Sequence, residues 1–257
     1  MQTNIMMELY KFWHQKTPYY GALALLGLMS YSAMTTKVSA LQLVFEFGAV
    51  QWIVIILIAV GSAFFAMEYQ NHTMLLLVYK QVKRRVIYGT KLGVILLYGV
   101  LLTVIAMLFT FVLKFLTVGQ RYSWLMTQID HRAMITVLLI NVLGTLIYAC
   151  FMVTLASLLF MLIRVNTVVI GTGLAVGFLG AGVSVGLMEA LPSWVNVLRW
   201  GPLNMIFITQ QLASTTDTQV SHLTNPAIIG GTLAYAVLFS VWVTCCLNTV
   251  VSERRSK

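Results

Sequence analysis

The side chains of this sequence that could do chemistry are few and scattered. Four histidines (His14, His72, His131 and His222) share no metal-ligand spacing with one another or with Cys150, Cys245 and Cys246. No HExxH motif, no paired carboxylates and no Ser/Lys or Cys/His dyad lies inside an apolar run, which argues against an intramembrane protease. Gly89-Thr90-Lys91 is only a fragment of a phosphate loop, without the glycine cradle that should precede it. The residues therefore predict no catalytic group, no metal and no cofactor in this chain, which is not expected to be an enzyme. What remains is charge recognition. Lys80, Lys83, Arg84, Arg85 and Lys91, five of the sixteen Lys and Arg residues, fall within the stretch from Ala66 to Lys91.

From Leu75 that stretch has helical period. Leu75, Val78, Tyr79, Val82 and Val86 lie on one face, and Lys80, Lys83, Arg84 and Ile87 lie on another. A basic amphipathic helix of this kind can lie on lipid headgroups or dock in a groove of a cytoplasmic partner, and the pattern alone leaves both open.

The elements that position this stretch are apolar. Hydrophobic residues make up 60% of the chain and charged residues only 9%, with a mean hydropathy of +0.89. A soluble domain carries about 25% charged residues, so a soluble globular fold is excluded. Crossing a bilayer takes about 20 predominantly apolar residues as helix. The charge-free gaps predict six spans, at about 19–36, 47–67, 92–113, 133–163, 167–187 and 226–251. These make a single transmembrane domain over residues 1–257. Ahead of them, Ile5, Leu9, Phe12 and Trp13 recur at helical spacing over 3–16, predicting an amphipathic elbow helix ended by Thr17-Pro18.

The formal net charge of +9 is a topology signal rather than a nucleic-acid one. With both termini cytoplasmic, Lys11, Lys16, Lys80, Lys83, Arg84, Arg85, Lys91, Arg164, Arg254, Arg255 and Lys257 lie inside, while Lys37, Lys114, Arg121, Arg132 and Arg199 lie outside. Basic residues beside spans also favour anionic membrane lipid. No ionisable residue is expected within a span, since Glu68, Lys114 and Arg164 sit at span ends, and this argues against a proton-coupled transporter. Asn141 and Asn166 read as helix–helix glue, and the cysteines as packing residues rather than a disulfide frame.

Two further stretches stand out. Gly173/Gly177 and Gly182/Gly186 are small-xxx-small pairs that let helices approach closely, within the subunit or against a second one. Residues 191–215 carry Trp194, Trp200, Gly201, Pro192 and Pro202 and are too apolar for a free loop and too interrupted for a span. They predict short helices re-entering the outer leaflet, which lipid permits only if the backbone is buried in protein.

The elbow, the six spans, and Glu68-x-x-x-x-Thr73 followed by Leu75-Leu76-Leu77, Lys83-Arg84-Arg85 and Gly89-Thr90-Lys91 together resemble the ABC type-2 exporter permeases. His72 stands where that family usually has glycine. The resemblance covers nearly the whole chain. It implies an all-α polytopic membrane protein, N-in and C-in, in the plasma membrane of a bacterium. Two such subunits pair, as a homodimer or with a similar permease, above two cytoplasmic ABC ATPase subunits that hold the ATP and magnesium. It further implies a cytoplasmic coupling helix over about 74–86, with Glu68, Thr73, Leu75, Leu76, Lys80, Lys83, Arg84 and Arg85 coupling to the ATPase. Glu68 is expected to pair with Lys11 or Lys16. The small outer loops and lipid-facing composition fit export of a hydrophobic or amphipathic peptide or drug, as in permeases that confer lantibiotic or bacitracin-like immunity or multidrug export. The competing expectation is a non-transporting scaffold or sensor that recruits a cytoplasmic partner.

Overall fold

The computed structural model describes residues 2–36, 38–70, 84–129, 132–163, 165–213 and 218–255. Helix α1 spans Gln2–Trp13 and α2 spans Thr17–Thr35. Pro18 lies in the first turn of α2, where its missing N–H is no loss. Ser39 caps α3, Ala40–Val44, in a reciprocal box with Gln42. A 3-10 turn over Glu46–Gly48 then delivers the chain into α4, Ala49–Gln70. Helix α5, Arg84–Thr117, leads through a two-residue antiparallel pair, β1 Gln128–Ile129 and β2 Arg132–Ala133, into α6, Met134–Ile163. Helix α7 covers Asn166–Ala190. Short pieces follow: a 3-10 turn at Pro192–Trp194, α8 at Val195–Leu198, a second 3-10 turn at Asn204–Phe207, α9 at Ile208–Ala213 and α10 at Thr218–Ser221. Helix α11, Asn225–Arg255, closes the bundle.

Among the described residues, five helices are long and apolar enough to cross a membrane, over Glu46–Met67, Tyr88–Thr117, Met134–Ile163, Asn166–Ala190 and Asn225–Cys245. The protein is an all-α polytopic membrane protein. Helix α2, 19 residues long, is not one of the five, because Tyr19, Tyr20, Ser30, Tyr31 and Ser32 dilute its apolar residues.

Burial sorts the spans into layers. The apolar windows of α4 and α6 are 67% and 56% buried within the protein, against 22% for α7 and 28% for α11, so α4 and α6 form the centre. Helix α6 is apolar around its whole circumference, as expected of a helix enclosed by neighbours. It packs against α3, α4, α5, α7, α9 and α11. Two buried clusters share α4. One joins it to α1, α2 and α5 through Phe12, Leu25, Met29, Phe64, Ile95 and Tyr98. The other joins it to α6 and the second 3-10 turn through Ile58, Tyr148, Phe151, Met205 and Ile206. Glycines set two close approaches. A Cβ at Gly21 would meet the Tyr98 hydroxyl at 2.6 Å and Ile56 at 2.8 Å, and one at Gly173 would meet Ile58 at 2.9 Å.

The expectation that no ionisable side chain lies within an apolar span needs correcting at three buried residues, Glu46, Lys91 and Lys114. The candidate spans cover Glu46–Met67, entered through the 3-10 turn, and Tyr88–Thr117, so they extend past the charge-free gaps that marked them. Glu46 is fully buried and Lys91 is 2% exposed. Neither is a snorkelling end residue.

Candidate functional site

The charged groups that the fold brings together lie where α4 finishes and α5 starts, flanking residues 71–83. The anchor is Lys91, buried on α5. Its Nζ stands 3.1 Å from Glu8 Oε2 of α1 and donates to the Phe64 carbonyl of α4 at 3.3 Å. Both groups of this ion pair are buried. The same ammonium sits 3.9 Å from the centroid of the Phe64 ring, a cation–π contact. Glu8 also accepts from Lys11 at 2.7 Å, on the solvent side. Lys91 thus joins three elements: the N-terminal helix, the last turns of α4 and the first turns of α5.

Apolar and neutral polar contacts complete the joint. Phe12, 1% exposed, packs edge-on against Phe64 at 5.1 Å and Tyr98 at 5.2 Å. Gln15 Nε2 donates to Met67 Sδ at 2.8 Å, and the Tyr98 hydroxyl donates to the Pro18 carbonyl at 2.7 Å across the start of α2. These contacts revise the expected orientation of α1. Phe12 faces protein, while Ile5, Met6, Met7 and Tyr10 are the exposed apolar residues. Glu8 is one helical turn from Phe12, so the two share a face. Burial of that face carries the carboxylate in with the ring, and Lys91 compensates it.

Of the residues expected to couple to a partner, Glu68 lies in the last turn of α4, and Arg84 and Arg85 form the first turn of α5. Thr73, Leu75, Leu76, Lys80 and Lys83, with most of the expected helix over 74–86, lie outside the described residues. Both ends of the basic segment therefore emerge from the Lys91 joint. Among the described residues no group of three His, Cys, Asp or Glu side chains could hold a metal ion.

The glycine pairs divide by face. Gly173 packs on Ile58, and Gly177 lies 3.5 Å from Met152 and 3.7 Å from the Tyr148 hydroxyl, so this pair serves packing within the chain. Gly182 and Gly186 have no atom within 4 Å of a Cβ position and lie on the outward face of α7.

The stretch 191–213 folds as the expected short helices and divides in two. Leu191, Trp194, Val197 and Trp200 are exposed, and Pro202 follows in the turn that leads inward. Asn204, Met205, Ile206, Phe207, Ile208 and Gln211 are buried. Asn204 Nδ2 donates to the carbonyls of Arg199 at 2.7 Å and Ser221 at 2.9 Å, and Ser184 Oγ donates to Asn204 Oδ1 at 3.4 Å. Gln211 Nε2 donates to the Leu223 carbonyl and to Asn225 Oδ1, both at 2.9 Å, and Ser221 Oγ donates to Gln211 Oε1 at 2.6 Å. This network supplies protein partners where lipid would supply none.

Sequence reasoning missed Glu8, Lys91 and Glu46 as buried groups. The i, i+4 relation of Glu8 to Phe12 was the available signal for the first. Compared with protein-family models and with curated proteins, the chain matches none.

Proposed function

We propose that this chain is the membrane-spanning permease subunit of an ATP-driven ABC exporter. It contributes no nucleotide site, and ATP and magnesium are held by cytoplasmic ABC ATPase subunits on which the basic segment 71–85 docks. The observation that carries this reading is the Lys91 joint. A surface-lying lipid anchor needs no rigid mounting, whereas a segment that passes force into the spans needs both ends fixed to them. Here Gln70 and Arg84 continue directly into α4 and α5, and α1 clamps both helices through Glu8, Phe12 and Gln15.

In this reading α2 is the sixth span. Its 19 residues reach about 28 Å at 1.5 Å per residue, close to the ~30 Å hydrocarbon core. Exposed Tyr19 and Tyr20 near one end and Tyr31 near the other match interfacial aromatic belts. Helix α1 is then the elbow, both termini are cytoplasmic, and the membrane is the bacterial plasma membrane. A second permease subunit, the same chain or a similar one, pairs across the outward face of α7 at Gly182 and Gly186. The cargo class that fits the small extramembrane loops is a hydrophobic or amphipathic peptide or drug.

The test is reconstitution with a candidate ABC ATPase subunit. ATP turnover that requires the permease, and that rises with amphipathic peptides, is the expected result. Replacing Lys80, Lys83 and Arg84 together with alanine should abolish assembly or stimulation. Full assembly and stimulation in that variant would refute docking through these three side chains, and ATP turnover that does not need this chain would favour the scaffold reading instead.

A further inference from the structure

The far end of the bundle holds a second charged group, unconnected with the Lys91 joint. Glu46 is fully buried, and neither of its carboxylate oxygens accepts a hydrogen bond. Asn141, also fully buried, donates from Nδ2 to the Val44 carbonyl at 3.1 Å, and its Oδ1 accepts nothing. Val44 is two residues before Glu46, so both side chains serve one short connection between α3 and α4. The backbone of that connection is left-handed at Glu46 (φ 50°), Phe47 (φ 54°) and Gly48 (φ 82°). Two consecutive non-glycine residues in this region are strained and persist only where their surroundings fix them.

The unpartnered atoms are all acceptors, and every one is oxygen. A buried carboxylate is retained when it is paired, ligates a cation or is neutralised. Among the described residues no nearby side chain does this. The Glu46–Gly48 turn packs against α2, α3, α4 and α5. Helices α2 and α3 carry no charged residue, and Tyr31 of α2 is exposed. The carboxylate of α4, Glu68, is in its opposite end. Near this end of α5 the charged residue is Lys114, which donates to the Gly119 carbonyl at 3.5 Å and lies 5.1 Å from the Trp124 ring centroid. Among the described residues no ion pair reaches Glu46. Helix α6, which brings Asn141, adds no charge along its length.

We propose that Glu46 and Asn141 form an occluded cation-binding site that takes a proton or an alkali cation. Full burial excludes any larger ligand, and hard oxygen donors select this class over a soft metal. The strained turn is the route by which the site opens, since relaxing Glu46 and Phe47 from left-handed geometry withdraws the carboxylate from the packed interior. The site does not rest on the exporter reading and holds for any role of the chain.

The experiment uses the full chain in nanodiscs and follows the unfolding midpoint by tryptophan fluorescence. In one arm Na+ or K+ replaces N-methylglucamine at constant pH and ionic strength. In the other arm pH is varied without alkali cation. A rise of about 5 °C or more is expected in one arm as the cation approaches ~100 times its dissociation constant. Glu46→Gln should remove that response. In parallel, mass spectrometry measures carbodiimide modification of Glu46 in the unaltered protein, so the test survives a variant that fails to fold. Suppression by alkali cation identifies a metal-ion site. Labelling that falls as pH rises and ignores alkali cation identifies a proton site. A flat midpoint in both arms, an unchanged response in Glu46→Gln, or labelling indifferent to both cations overturns the proposal.

Discussion

Replacing Lys91 with methionine keeps most of the side-chain volume and removes the charge. The consequence can be worked from its contacts. Lys91 is 2% exposed and faces Glu8, itself 6% exposed. Breaking a buried pair by removing one partner costs about 3–5 kcal/mol, because the other charge is left uncompensated. Glu8 would keep Lys11 at 2.7 Å, but that lysine side chain is 42% exposed and its attraction is screened by solvent. The expected net loss for Lys91→Met is therefore about 2–3 kcal/mol. For a chain of this length that corresponds to a midpoint lowered by about 5–10 °C. Glu8→Gln with Lys91→Met removes both charges, and a paired replacement by neutral groups is often close to neutral. The double variant should recover more than half of the single loss, a coupling of about 1–3 kcal/mol in a double-mutant cycle. Thermal unfolding of the four proteins in the same detergent measures it. Strictly additive losses, or a Lys91→Met midpoint within about 1 °C of the unaltered chain, would show that the joint is held by Phe12 and Gln15 and that the charge pair is incidental.

Other consequences can be measured with the same unfolding assay. Gly21→Ala places a methyl 2.6 Å from the Tyr98 hydroxyl and should cost about 1–3 kcal/mol, while Gly27→Ala, with nothing within 4 Å, should be neutral or slightly stabilising. Gly173→Ala should destabilise the isolated chain through Ile58, whereas Gly182→Leu should leave its midpoint unchanged and lower the dimer fraction seen by crosslinking if that face pairs subunits. Asn204→Ala leaves the Arg199 and Ser221 carbonyls without their donor and should cost about 2–3 kcal/mol, and protease accessibility of 191–213 should rise with it.

The apolar architecture was legible because lipid imposes a length and a composition that sequence displays directly. The expected spans over 133–163 and 167–187 and the helices Met134–Ile163 and Asn166–Ala190 differ by a few residues at most. The broken stretch before the last helix was legible for a related reason, since Pro192, Gly201 and Pro202 forbid a continuous helix. Charges were read less well. Charge-free gaps marked the span limits, so a charged residue buried at a limit was assigned to the loop beside it. Glu46 and Lys91 are the clearest cases, and Lys114 is another. The burial of the first two depends on what packs against them, α2 and α5 on the turn that holds Glu46 and α1 on Lys91, and these elements are distant in sequence. Lys91 and Glu8 are 83 residues apart, a separation no local period reveals.

The long separations between partners also order the making of the protein. A chain inserted from its N-terminus exposes α1 long before Lys91 has been synthesised, so the Glu8 carboxylate remains outside the bundle until α5 is in place. The network around Asn204 and Gln211 has the same property at the other end. Its acceptors and donors at Ser221, Leu223 and Asn225 emerge only as the last helix begins. Residues 191–213 thus carry two buried polar side chains, Asn204 and Gln211, whose partners arrive only with the final helix. A truncation before Ser221 removes the last helix together with these partners, so it should leave Gln211 without its hydrogen bonds and residues 191–213 open to protease.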